Sequence, residues 1–101
     1  MLIVNTTYHV SEDSQKDWIK WVKAEYIPEV TKTNLMVRPR FFRLLVEDEP
    51  GTVSYALQFE VKDLDTLENW FQRYGTEMQA TMSQQFQEKV MGFTTMMETV
   101  E

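Results

Sequence analysis

The sequence predicts an α+β domain whose elements run β-α-β-β-α-β: one antiparallel four-stranded sheet with both helices on the same face. Three observations predict it. Two long segments carry apolar residues at helical spacing. Four shorter segments alternate apolar and polar residues. The two middle alternating segments flank a turn-rich stretch and support one hairpin register.

The elements follow in order. Residues 2–10 alternate, with Leu2, Val4, Thr6, Tyr8 and Val10 on one side and Ile3, Asn5, Thr7 and His9 on the other, as in a strand with one apolar face. Ser11 suits a helix N-cap, and Glu12 and Asp13 suit the positive end of the helix dipole. Trp18, Val22, Tyr26 and Val30 then recur every fourth residue, with Lys16, Lys20 and Lys23 on the other side. Pro28 lacks the donor a helix interior needs and should kink or interrupt it; Asn34 suits a left-handed stop. Residues 36–47 and 52–62 read as two strands around the turn Glu47-Asp48-Glu49-Pro50-Gly51. If residues 47 and 52 face each other, Phe42 meets Leu57 and Leu44 meets Tyr55 on the apolar side, while Arg43 meets Ala56 and Phe41 meets Gln58 on the other. Pro39 marks an edge strand or a bulge. Asp63 or Asp65 caps the second helix, whose stripe runs from Leu64 to Phe86 through Trp70 and across Gly75, a position where a break is expected. Residues 90–100 close the sheet.

Composition narrows the function. A chain of 101 residues is one domain, spanning 1–101, with a thin core. No cysteine is present, which removes disulfides, thiol nucleophiles and cysteine-ligated metals and points to a reducing, cytoplasmic location. The first residues lack the basic and long apolar regions of a secretory signal, and no stretch reads as a membrane span. The net charge of −6 repels phosphate backbones, so nucleic acid is not an expected partner, although Arg38, Arg40 and Arg43 cluster on one strand.

With the helices on one face, the other is expected to carry Ile3, Asn5, Thr7, His9, Phe41, Arg43, Leu45, Ser54, Ala56, Gln58 and Glu60, together with Thr94, Met96 and Glu98. That face is too apolar to stay in water and too polar for an ordinary core, which fits an isologous homodimer whose sheets enclose a partly polar cavity. Here the chain resembles a known group. Trp18-Ile19-Lys20-Trp21, Glu25-Tyr26-Ile27-Pro28-Glu29-Val30, Arg40-Phe41-Phe42-Arg43-Leu44-Leu45 and Phe93-Thr94-Thr95-Met96-Met97-Glu98 resemble the uncharacterised bacterial family domain of unknown function 4286, within the dimeric α/β-barrel superfamily of ferredoxin-like folds. The resemblance covers essentially the whole chain. It implies the ferredoxin-like fold and the dimeric α/β barrel, and no established function.

The same superfamily includes haem-degrading and cofactor-independent monooxygenases and small-molecule isomerases. The haem-degrading branch uses an Asn on the first strand, a Trp on the second helix and a His further along it. Asn5 and Trp70 stand where the first two would, but Gln79, Ala80 and Thr81 offer no imidazole for iron, and Trp70 reads as core. No cofactor and no metal site is therefore expected. The candidate polar groups are Asn5, His9, Arg43, Gln58 and Glu98. His9, the single histidine, is a candidate general base with Glu60 or Glu98 to orient it, and Arg43 needs either a carboxylate or an anionic ligand if enclosed. Two functions compete: a barrel binding a small acidic or aromatic molecule, with cofactor-independent or haem-linked oxygenation as a further possibility, and a non-enzymatic dimeric interaction module. Whether the chain is an enzyme is left open by its residues.

Overall fold

The computed structural model describes residues 1–46 and 49–100. Four strands form a single antiparallel sheet: β1 (Leu2–Ser11), β2 (Met36–Arg43), β3 (Thr52–Val61) and β4 (Val90–Glu98), in spatial order β2-β3-β1-β4. The alternation read in β1 and β3 is the pattern observed. Thr6 lies opposite Leu57 on one side and Thr94 on the other, so the even residues of β1, the odd residues of β3 and the even residues of β4 share one face. Both helices lie on that face, and the core runs from Val4, Tyr8, Val10, Leu57 and Phe59 to Trp18, Val22, Val30, Leu67, Trp70 and Phe86.

Neither helix is regular throughout. The first starts with a 3-10 turn at Glu12–Ser14, continues as α-helix over Gln15–Trp21, widens to a π-turn at Val22–Tyr26 and returns to α-helix over Ile27–Lys32. Pro28 does not end it. The backbone N–H of Ile27 bonds to the carbonyl of Val22, so the ladder shifts by one residue just ahead of the missing proline donor and the helix continues. Asn34 stops it in the left-handed conformation, with φ 62°. Asp63 caps the second helix, accepting from the Thr66 backbone N–H at 2.8 Å. This helix too contains a π-turn, Phe71–Gly75, between Leu64–Trp70 and Thr76–Phe86, and a 3-10 turn at Gln87–Lys89 leads to β4. The break expected at Gly75 is thus a widened turn, not an end.

The hairpin differs from expectation. Within the predicted turn, Glu47 and Asp48 lie outside the described residues; Gly51 takes φ 89° and Thr52 N–H bonds to the Glu49 carbonyl at 3.1 Å. β2 ends at Arg43 instead of residue 47, and its register with β3 is one residue out of step with the prediction: Phe41 faces Leu57, Phe42 faces Ala56 and Arg43 faces Tyr55. The register shifts between Val37 and Arg40, where Arg38 has φ 54° and Pro39 follows. Pro39 therefore marks both an edge strand and a bulge. One residue of slip turns every side chain over. Phe41 packs inward with its ring centroid 5.6 Å from that of Trp18, and Phe42 takes the outer face.

Candidate functional site

The outer face of the sheet is ordered in rows across the strands. Val37, Glu60, Ile3 and Met97 form one, Arg40, Gln58, Asn5 and Thr95 the next, and Phe42, Ala56, Thr7 and Phe93 a third. His9, between Ser54 and Met91, follows. The middle polar row is bonded: Gln58 Nε2 donates to Asn5 Oδ1 at 3.2 Å, and Asn5 Nδ2 to Thr7 Oγ1 at 3.4 Å. His9 Nδ1 shares a hydrogen bond of 2.9 Å with Ser54 Oγ, and its ring meets Phe93 edge-on. The Arg40 guanidinium lies 5.2 Å from the Phe42 ring centroid, and Arg38 reaches Glu60 at 3.9 Å.

Of the five candidate side chains, the structure brings Asn5, His9 and Gln58 onto this face and separates the other two from it. Arg43 faces the helix side opposite Tyr55, because the bulge moved β2 by one residue. Glu98 lies opposite Leu2, with Thr94 and Met96 on the same side, so the outer face carries Met91, Phe93, Thr95 and Met97 instead. Three of the four residues in the outward set are apolar, against Val90 and Met96 in the other, so the pattern points this set toward the helices and the structure turns it outward. Phe41 leaves the expected outer set and Leu45 lies beyond the end of β2.

A second site was not visible in the pattern. Between the sheet and the second helix lies a cavity of about 190 Å³, lined by apolar walls that include Leu57, Phe59, Trp70 and Phe71, by the hydroxyl residues Thr6, Tyr8, Tyr26, Ser83 and Thr94, and by Gln79. Two glycines make room for it. A Cβ on Gly92 would sit 2.9 Å from the Tyr8 ring, and one on Gly75 would sit 2.7 Å from Phe71 Cδ1 and 3.0 Å from Trp70 Cζ3. Both π-turns contribute lining residues: Tyr26 from the first, Phe71 and Gly75 from the second. Such turns recur at functional sites because they displace side chains from the regular helical positions.

The hydroxyls form a chain: Thr6 pairs with Tyr8, Tyr8 with Tyr26, and Thr6 and Thr94 Oγ1 are 3.0 Å apart, each hydroxyl able to donate or accept. Burial raises the Tyr8 phenol well above its ordinary range, helped by the neighbouring Tyr26; burial also raises Tyr26, partly offset by its bond with Tyr8. Both stay protonated near neutral pH. The indole nitrogens of Trp18 and Trp70 are buried without a hydrogen-bond partner and closed off from the cavity by their neighbours. None of the lining residues carries a charge.

The residues do not fit haem. Asn5 is on the outer face and Trp70 on the inner one, so the pair does not converge, and the second helix has no histidine. Among the described residues no three His, Cys, Asp or Glu side chains are grouped to hold a metal ion, and no helix is long and apolar enough to cross a membrane.

The fold and the two faces of its sheet define the class: a ferredoxin-like α+β domain. Solved structures share it. HapK from Hahella chejuensis superposes with a TM-score of 0.73 at 14% identity, covering 99% of this chain and 93% of that one. A dimeric ferredoxin-like protein from an uncultured marine organism gives 0.68 at 15% identity, covering 99% and 95%. An antibiotic biosynthesis monooxygenase gives 0.62 at 17% identity over 100% of both chains. The chain belongs to the family domain of unknown function 4286, whose model matches residues 1–100. No curated protein matches it.

Proposed function

We propose that this protein binds a small, uncharged aromatic molecule carrying an acceptor oxygen, in the cavity between its sheet and second helix, and does so as a homodimer. The observation that carries this reading is the mixed lining of one cavity: the hydroxyls of Thr6, Tyr8, Tyr26 and Ser83 and the Gln79 amide stand among aromatic and aliphatic walls, with no charged group. A ligand carbonyl or phenol oxygen that reaches one of these polar groups gains a hydrogen bond worth about 0.5–1.5 kcal/mol. Engineered apolar cavities of about 150 Å³ accept benzene, so 190 Å³ suits one ring. With no charge on its lining, the cavity disfavours a carboxylate. No carboxylate, imidazole or amine lines it to exchange protons near neutral pH, so binding is favoured over general acid–base catalysis.

The homodimer is supported by the outer face. Phe42, Met91, Phe93 and Met97 are exposed there, and they frame the bonded polar row. A solved neighbour with the same fold is described as dimeric. In this reading Asn5, Gln58 and His9 belong to the self-association surface, where their mutual bonds limit the penalty of enclosure. Arg43 and Glu98 have no part in either surface.

The test is calorimetric titration of simple phenols, aromatic ketones and aromatic carboxylates into wild type and Tyr26→Phe. The reading expects phenols and ketones to bind wild type and to lose roughly three- to tenfold in affinity on the variant, the value of one hydrogen bond. Preference for carboxylates, or indifference to the substitution, contradicts it.

A further inference from the structure

The cavity between the sheet and the second helix has a closed end and an open end. At the closed end Tyr8, Leu57, Phe59 and Trp70 are buried. At the open end Gln79, Ser83 and Thr94 are exposed. β4 is an edge of the sheet, and its residues 91–98 are exposed on both faces, so the second helix leaves a mouth along this strand. Gly92 lines that mouth and has no side chain to fill it. We propose that the mouth reads a second polar group of the ligand, so that the occupant is a single aromatic ring with an uncharged polar substituent at each end, and that Gln79 and Ser83 select the outer one. This inference rests on the aromatic ligand proposed above and adds the chemistry of its outer end.

Three features favour that occupant. The cavity of about 190 Å³ has room for one ring, so a substituent on the far side of a ring held at the closed end lies among the mouth residues. Gln79 and Ser83 stand four residues apart on the helical segment Thr76–Phe86 and so share one face of it, and both line the cavity. The polar groups at the two ends come from different elements: Tyr8 and Tyr26, paired with each other, from β1 and the first helix, and Gln79 and Ser83 from the second helix. The Gln79 amide offers both a donor and an acceptor, and the Ser83 hydroxyl can serve as either. That set matches a hydroxyl or a carboxamide, which also donates and accepts. No charged residue lines the mouth to hold an ionised substituent. A site that bonds a hydroxyl discriminates against the analogue lacking it, because its polar groups then lose water without gaining a partner.

The probes are para-hydroxymethylphenol and para-ethylphenol, which share one skeleton and differ by a single hydroxyl, with phenol as the reference. Each is titrated calorimetrically into the full chain and into Gln79→Met/Ser83→Ala. Both substituted residues are exposed, so the variant keeps the fold. The hydroxymethyl compound is expected to lose roughly three- to tenfold in affinity on the variant, the value of one hydrogen bond, while phenol and the ethyl compound change little. Unchanged affinity for the hydroxymethyl compound overturns this inference and leaves the aromatic site standing. An equal loss for all three also overturns it, since the two residues would then shape the cavity and not read the outer group. A wild type that binds none of the three overturns the ligand reading together with this one.

Discussion

The hydroxyls of Tyr8 and Tyr26 share a hydrogen bond, joining the middle of β1 to the π-turn of the first helix. It links the sheet's position to the one turn whose widening brings Tyr26 to the cavity. Because burial and Tyr26 raise the Tyr8 pKa in the folded state, its contribution to stability is fully present below the ordinary phenol value of 10.0 and is lost as pH rises through the folded value. Denaturant melts taken upward from pH 8 should therefore show stability falling above about pH 10. The fall should be shallower in Tyr8→Phe.

Gly75 sets two rules against each other. Helix propensity expects Gly75→Ala to stabilise by about 1 kcal/mol. The overlap with Phe71 and Trp70 predicts the opposite, a loss of about 1–3 kcal/mol, because both rings must shift to admit a methyl group. The sign of the change in chemical denaturation decides, and the shifted rings should also weaken ligand binding in the cavity.

The corrected register separates adjacent phenylalanines. Phe41 packs among Trp18 and Tyr55, with ring centroids 5.6 and 5.9 Å away, so Phe41→Ala should cost about 3–5 kcal/mol. Phe42 is 40% exposed on the outer face, and Phe42→Ala should cost less than about 1 kcal/mol in the subunit. If the in-step hairpin expected from the sequence were right, the two values would be exchanged.

Phe93 is 58% exposed at the centre of the outer face of β4. Phe93→Lys brings a like charge from each subunit into the proposed interface, and sedimentation should find monomers with unchanged circular dichroism. Wild type that sediments as a monomer at micromolar concentration removes the dimer from the account.

Much of the fold was legible because burial writes periods into the chain. The stripe Trp18, Val22, Tyr26, Val30 and the alternation of Val53, Tyr55, Leu57, Phe59 and Val61 each have one solution. The orientation of β2 was not, since Arg-Phe-Phe-Arg places one aromatic on each side and only the backbone at Arg38 and Pro39 decides between them. The orientation of β4 was not either, because its more apolar set faces away from the helices. The cavity escaped because its polar residues sit on stripes that read as core: Tyr8 and Tyr26 fit an apolar pattern with their rings, while their hydroxyls, joined only in three dimensions, make the site. Two features did mark the place, Pro28 and Gly75, the positions where a regular helix is hardest to keep.

The central claim is that the sheet–helix cavity, with Tyr26 and the Trp70 ring in its wall, holds an uncharged aromatic ligand. The most direct measurement is the indole N–H proton resonance of Trp70, assigned by Trp70→Phe, followed during addition of phenol. A ligand in the cavity shifts that resonance saturably in wild type, through the ring current of phenol beside the Trp70 ring, and binds more weakly in Tyr26→Phe. An indole signal unmoved by phenol, in a protein that nonetheless binds it, would put the ligand elsewhere and contradict the account.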